Sequence, residues 1–221
     1  MKRDFAVIGL GRFGGSICRE LSLEGMSVLA IDINETKVNE FKNIVTHAVI
    51  ADATDEATLK DLGVNNIDHV IVGIGDNIQA SILTTVMLSD FGIKKITVKA
   101  QDDYHERILK KIGAHQVVHP ERDMGKRIAH SIISNNILDY LELSDEHSIF
   151  EVKASQKMIG KTLEQLAIRA KYGCNVVAIK QGDEINVSPG AQLKIAANDI
   201  LIIIGSDKDL SRFEKHLVVD D

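Results

Sequence analysis

Only two cysteines, two prolines and no tryptophan occur among the 221 residues, and each scarcity excludes something. Cys18 and Cys174 are too few for a disulfide framework and lack the spacing of a zinc site, so a reducing, cytosolic compartment is expected. Two prolines cannot build a stiff linker or a collagen-like repeat. No apolar run approaches the ~20 residues of a membrane span, the longest being Ile200–Ile204. Action at a membrane would therefore need a partner. Basic residues are also in deficit. Lys and Arg number 26 against 32 Asp and Glu, the formal charge is −6, and the imbalance is −2 over residues 1–135 and −4 over 136–221. Neither part is a basic nucleic-acid module, so no nucleic-acid partner is expected.

What remains is a globular composition, 44% hydrophobic and 26% charged, too apolar for a disordered chain. The start, MKRDFAVIG, has two basic residues but an apolar stretch broken by glycines and Arg12. That pattern fits a first strand and not a signal peptide.

Residues 4–119 alternate short β-branched runs with longer amphipathic segments, the rhythm of a parallel sheet with helices on both faces. Strands are predicted at Phe5–Gly9, Ser27–Asp32, Ala48–Asp52, His69–Gly73, Ile96–Lys99 and Gln116–His119. They are rich in Val, Ile and Ala, as strands buried on both faces should be. Helices are predicted at Asn34–Phe41, Asp55–Leu62, Asn77–Phe91 and Asp103–Ile112, with Gly25, Gly63, Gly92 and Gly113 as stop signals. Pro120 opens a further helix expected to reach about Leu138. Beyond Tyr140, neighbouring strands with one or two short helices indicate a small α+β unit. The expected fold is α/β: a Rossmann doubly wound parallel sheet in residues 1–135, which include the crossover helix, and a small α+β lobe in 136–221.

Gly9-Leu10-Gly11-Arg12-Phe13-Gly14 follows the first strand and opens a helix, where backbone N–H groups and the helix dipole can hold a phosphate. The second strand ends in Asp32, placed to accept ribose hydroxyls. Together they point to an adenosine-type nucleotide. The alternative is that the glycines only make a tight turn and Asp32 only caps the next helix. Arg12 favours the ligand, because a cation in the first turn of a helix opposes the macrodipole unless an anion is bound. Gly73-Ile74-Gly75 places further glycines at the carboxyl edge of the sheet, although they could be ordinary turn residues.

Catalytic groups are missing. Tyr104, Tyr140 and Tyr172 have Ile108, Ser144 and Val176 four positions on, where short-chain dehydrogenases need Lys. No Walker loop, His-Glu-x-x-His motif or Ser-His-Asp grouping occurs. The chain is expected to bind and not to transform. An NAD-dependent oxidoreductase or an NADH-sensing regulator is the rival, since the loop and Asp32 read adenosine and pyrophosphate but not nicotinamide.

FAVIGLGRFGG (Phe5–Gly15), HVIVGIG (His69–Gly75), VKA (Val98–Ala100) and HPE (His119–Glu121) resemble the RCK (TrkA-like) domain family. Within it the chain resembles the KtrA/KtrC-type cytosolic subunits that regulate bacterial Ktr potassium uptake. The resemblance implies a cytoplasmic homo-octameric ring docked on a KtrB/KtrD-like potassium-translocating membrane subunit. It also implies activation by ATP, opposition by ADP and inhibition by cyclic di-AMP. By the same resemblance Gly9, Gly11 and Gly14 would hold phosphates and Asp32 the ribose, with Phe13 and Ile33 also among the cofactor-binding residues. Asp52 and Ala53 would border the adenine, while Ile74, Gly75 and Lys99 would lie near the nucleotide. Arg12 would reach the γ-phosphate, and Glu121 would serve Mg²⁺ or another cation there. Glu121 could equally be a favourable acid at a helix start. In the second lobe Ile168, Arg169, Ala170, Asn175 and Pro189 resemble a cyclic di-AMP pocket.

Overall fold

A computed structural model describes residues 3–133, 136–144 and 146–218. The chain divides into two compact units, Met1–Pro120 and Glu121–Asp221.

The first unit holds six parallel strands: β1 (Asp4–Ile8), β2 (Ser27–Asp32), β3 (His47–Ile50), β4 (His69–Val72), β5 (Lys95–Lys99) and β6 (Gln116–Val118). Their order is β3-β2-β1-β4-β5-β6, so the chain reverses its direction of travel across the sheet between β1 and β4. In this architecture ligands bind at the carboxyl ends of the strands beside that reversal. Val7, Ile8, Val28, Ile31, Val70, Val72, Ile96 and Val98 are buried, as strands covered on both faces require.

The helices are α1 (Arg12–Leu23), α2 (Glu35–Phe41), α3 (Glu56–Asp61), α4 (Ile78–Asp90) and α5 (Asp103–Lys111). Four of these five start on a side-chain cap. Asn34 accepts from Lys37 N, Asp55 from Ala57 N, Asn77 from Ala80 N and Asp102 from His105 N, at 2.8–3.2 Å. Such caps satisfy backbone donors that have no partner within the helix. α1 has none.

The second unit begins with α6 (Pro120–Ile133), whose Pro120 lies at the division. Its sheet is antiparallel, in the order β10-β9-β11-β8-β7: β7 (Ile137–Ser144), β8 (His147–Lys153), β9 (Asn175–Gln181), β10 (Glu184–Val187) and β11 (Ile200–Ser206). Short helices α7 (Leu163–Leu166) and α8 (Ile168–Tyr172), with α9 (Asp207–Phe213), complete it. Thr162 opens α7 with a reciprocal cap: it accepts from Gln165 N, and Gln165 Oε1 accepts from Thr162 N. The core gathers Tyr140, Phe150, Met158, Leu201, Ile203 and Phe213.

One expectation needs correction. The helix from Pro120 does not reach Leu138, because Ile137 and Leu138 already belong to β7. Ile137 is buried and pairs with Val152 of β8, so sheet pairing overrides the helical pattern. Ile168–Tyr172 forms a turn of helix after Ala167 adopts the left-handed conformation. Residue 135, the expected end of the first domain, lies outside the described residues.

α6 is tied to β7 by charge. The Arg127 guanidinium donates to both carboxylate oxygens of Asp139 at 2.8–3.2 Å, and Lys126 lies 3.4 Å from Glu142. Among the described residues no helix is long and apolar enough to cross a membrane.

Both cysteines are buried. Burial pushes the Cys18 thiol up to about 12, while burial and the Asp209 carboxylate push Cys174 up to about 11. Thiolate is the reactive form. Native protein at pH 8 should therefore react with a thiol reagent at least ~10-fold more slowly than unfolded protein, whose thiols sit near the free-Cys value. A fast-reacting native thiol, detected by labelling and mass spectrometry, would contradict the burial of that residue.

Candidate functional site

The carboxyl edge of the first sheet brings together the glycine loop, the end of β2 and the loop after β4. Gly9 has φ +92°, which a side chain would strain, and a Cβ there would meet Gly73 C and Ile74 N at 2.9 Å. A Cβ on Gly14 would drive into the Gly9 carbonyl oxygen, and one on Gly73 would lie 2.9 Å from the same atom. These three glycines let β1, α1 and β4 touch backbone to backbone.

Gly11 is different. Its φ is −68°, and a Cβ there would meet nothing within 4 Å. Folding does not require glycine at this position, whereas close approach of a ligand to the backbone does. Gly11 is also the N-cap of α1, with no side-chain cap and no acidic residue in the first turn. The positive end of α1 is thus left for an anion.

Asp32 is 8% exposed. Its Oδ2 accepts from Leu10 N at 2.7 Å, its Oδ1 accepts from Asn34 N at 2.8 Å, and Lys37 Nζ lies 3.9 Å away. Asp32 therefore does not cap α2, a role that Asn34 takes. It ties the glycine loop to the end of β2, and each oxygen keeps a lone pair for a ribose hydroxyl. Ile33 beside it is 69% exposed.

At the end of β3, Asp52 Oδ1 accepts from Thr54 N at 2.9 Å and from Thr54 Oγ1 at 2.7 Å. Ala53 is buried, and its carbonyl accepts from Thr84 Oγ1 at 3.0 Å. A methyl on Gly75 would lie 3.5 Å from Lys99 Nζ, placing that ammonium on the loop after β4. Phe13 packs against the core beneath α1, while Arg12 is exposed.

An open groove of about 430 Å³ runs between α1 and α2, lined by Gly11, Arg12, Arg19, Lys37, Glu40 and Phe41 among others. Arg19 lies over the Phe41 ring, 4.9 Å from its centroid. Three cations against one carboxylate make the groove electropositive. The loop signature could have suggested Arg12, but Arg19 and Lys37 are ordinary helix-surface residues in sequence. Only the packing of α1 on α2 brings them together.

Asp103, Glu106 and His119 have ligand atoms within 4.8 Å of one another. Glu106 already accepts from Lys110 at 2.6 Å and lies 2.7 Å from His119 Nε2. Hydrogen bonds from these two hold its carboxyl below the ordinary value. Glu106 is thus already engaged by Lys110 and His119.

In the second unit Glu121 is exposed in the first turn of α6. Arg169 and Ala170 are exposed on α8, Asn175 is exposed at the start of β9, and Pro189 is half-buried after β10. Ile168 is 3% exposed and packs in the core, so its side chain does not line a surface pocket.

Two domain families match the chain: the TrkA-N domain over residues 5–120 and the TrkA-C domain over residues 147–218. Ktr system potassium uptake protein C of Bacillus subtilis is 64% identical over 218 residues, with 99% of each chain covered. Ktr system potassium uptake protein A of the same organism is 53% identical over 212 residues, covering 96% of each chain. A chain of the solved "GsuK channel bound to NAD" superposes with TM-score 0.70 at 16% identity, over 100% of this chain and 40% of that one. That likeness is one of fold.

The glycines predict contrasting stabilities. Gly14→Ala should destabilise the full chain by about 1–3 kcal/mol through overpacking, whereas Gly11→Ala should cost under about 1 kcal/mol. Denaturant unfolding measures both. Equal losses would show that Gly11 is needed by the fold and not by a ligand.

Proposed function

This chain belongs to the TrkA-N/TrkA-C family and, within it, to the Ktr potassium-uptake proteins, and we propose that it is the nucleotide-sensing gating subunit of such a system. The observation that carries the reading is the match to Ktr potassium-uptake protein C over 99% of both chains. The relatives are potassium-uptake proteins and not oxidoreductases, so binding at the glycine loop serves control.

In this reading the first unit binds ATP or ADP. Gly9, Gly11 and Gly14 surround the phosphates, Asp32 meets the ribose, Asp52 and Ala53 border the adenine, and Phe13 and Ile33 flank the site. Ile74, Gly75 and Lys99 close the far side. The unfilled space over Gly11 and the uncapped start of α1 support this placement. ATP and ADP share all contacts but those to the γ-phosphate, so only a group meeting that phosphate can make one favour a different conformation. Arg12 is that group, with ATP activating transport and ADP opposing it.

Glu121 is assigned to a cation, Mg²⁺ or another. One exposed carboxylate cannot enclose a metal by itself, but Mg²⁺ commonly takes one or two carboxylates together with phosphate oxygens and waters. Glu121 would supply one such carboxylate. In the second unit the exposed Arg169, Ala170 and Asn175, with Pro189, would contact cyclic di-AMP. Arg169 offers a planar fork for a phosphodiester, and this ligand would inhibit.

The protein acts from the cytoplasmic side as a homo-octameric ring on a KtrB/KtrD-like potassium-translocating subunit. Assembly is supported by apolar side chains left outside on helices: Leu83 on α4, Tyr104 and Ile108 on α5, and Met124 and Ile128 on α6. Association with a partner would take these side chains out of water.

Potassium flux into vesicles carrying the membrane subunit and this protein should be faster with ATP than with ADP. Arg12→Ala should erase the difference with or without Mg²⁺, whereas Glu121→Gln should erode it only when Mg²⁺ is supplied. Equal flux with ATP and ADP in the wild type would reject nucleotide gating.

Arg169→Ala should weaken cyclic di-AMP at least ~10-fold, the loss of one or two charge-assisted bonds, and leave ATP affinity unchanged. Calorimetry distinguishes the outcomes, since loss of both ligands together would mean that the second-unit site is wrongly placed.

A further inference from the structure

Helix α4 buries hydroxyl side chains where an ordinary surface helix buries apolar ones. Its fully buried face carries three hydroxyl side chains, Ser81, Thr84 and Thr85, followed by Leu88, while Leu83 points outward and is 45% exposed. A buried hydroxyl that makes no hydrogen bond costs stability, so each of the three needs a reason. Thr85 Oγ1 donates to the Ser81 carbonyl one turn back at 2.7 Å, a bond internal to the helix. Ser81 Oγ has no hydrogen-bond partner among the described residues. Thr84 alone leaves the helix, donating to the Ala53 carbonyl 31 positions away in sequence.

That bond reaches the adenine edge through a planar peptide. The Ala53 carbonyl and the Thr54 N–H belong to one rigid unit, held from opposite sides. Thr84 takes its oxygen, and Asp52 Oδ1 takes its N–H at 2.9 Å together with the Thr54 hydroxyl at 2.7 Å. Both bonds from Thr54 fall on the same carboxylate oxygen, which turns the Asp52 carboxylate about that end and leaves Oδ2 outside the turn. Adenine carries an exocyclic amine that donates, where guanine carries a carbonyl oxygen that accepts. At that ring position a fixed carboxylate oxygen accepts from the adenine amine and repels the guanine carbonyl oxygen, whereas the donors of guanine, N1–H and the N2 amine, lie further along the ring edge.

We propose that Thr84 is a positioning residue for base recognition: by holding the Ala53–Thr54 peptide it fixes the Asp52 carboxylate as the acceptor for the adenine amine. This rests on the reading that adenine sits at Asp52 and Ala53. Thr84 touches no part of the nucleotide. Its contribution is to base selection and not to phosphate binding, which belongs to the glycine loop.

The test compares ATP, GTP and inorganic tripolyphosphate on the full chain by calorimetry, with thermal unfolding recorded for every variant. The wild type should prefer ATP. Thr84→Val keeps the shape but removes the donor, and should cut the ATP-to-GTP affinity ratio by about fivefold or more while tripolyphosphate binds within about twofold of wild type. Thr84→Ser should restore the preference, and Ser81→Ala, which removes a hydroxyl without a partner on the same buried face, should leave it intact. A wild type that binds ATP and GTP alike would remove the adenine site and this proposal with it. A wild-type preference that survives undiminished in Thr84→Val would overturn the role of Thr84 alone. Equal losses of ATP and tripolyphosphate in Thr84→Val would also overturn it, because the damage would then lie in the glycine loop.

Discussion

Backbone contact at the junction of β1, α1 and β4 is the constraint from which the first unit is built. Gly9, Gly14 and Gly73 meet there with no room for a Cβ between them, and Gly73 N donates to Ile8 O at 2.7 Å while Gly9 N donates to Ile31 O at 2.8 Å. The loop is thereby pinned to both neighbouring strands. Asp32 completes the arrangement by accepting from Leu10 N. A pinned loop gives α1 a fixed start, and a fixed start gives its free N–H groups one direction in which to hold an anion. Gly11, the glycine that the fold does not require, is the opening through which a ligand would reach them.

The same junction explains how one phosphate can matter. Nearly all of the proposed nucleotide contacts, from the loop to Asp32 and Asp52, are made equally by ATP and ADP, and equal contacts shift no equilibrium. Discrimination must come from groups at the phosphate end, where the electropositive groove of Arg12, Arg19 and Lys37 lies. The second unit would then act on the same equilibrium through a separate ligand, which is the formal requirement for allosteric coupling between two sites.

Much of the fold was legible because its signals are local. Ser27–Asp32 matches β2 at both ends, since a β-branched run bounded by Gly25 and Asn34 leaves few alternatives. The caps Asn34, Asp55 and Asn77 were readable for the same reason. Sequence failed where long-range pairing decides. Ile137 and Leu138 continue the helical period of α6 yet belong to β7, because β8 offers them a partner strand. Ile168 is core although Arg169 and Ala170, its neighbours on α8, are exposed. Arg19, Lys37 and Thr84 carry no motif at all. Their relation to the loop and to Ala53 arises from helix packing and from a hydrogen bond spanning 31 positions.

The central claim is that the glycine loop of the first unit holds an adenosine nucleotide apart from the second unit's ligand. Calorimetric titration of nucleotide-free protein with ATP, followed by cyclic di-AMP into the ATP-saturated protein, tests it most directly. The account predicts one ATP per chain and undiminished cyclic di-AMP binding stoichiometry afterwards. Absence of saturable ATP binding, or displacement of ATP by cyclic di-AMP one for one, would contradict it.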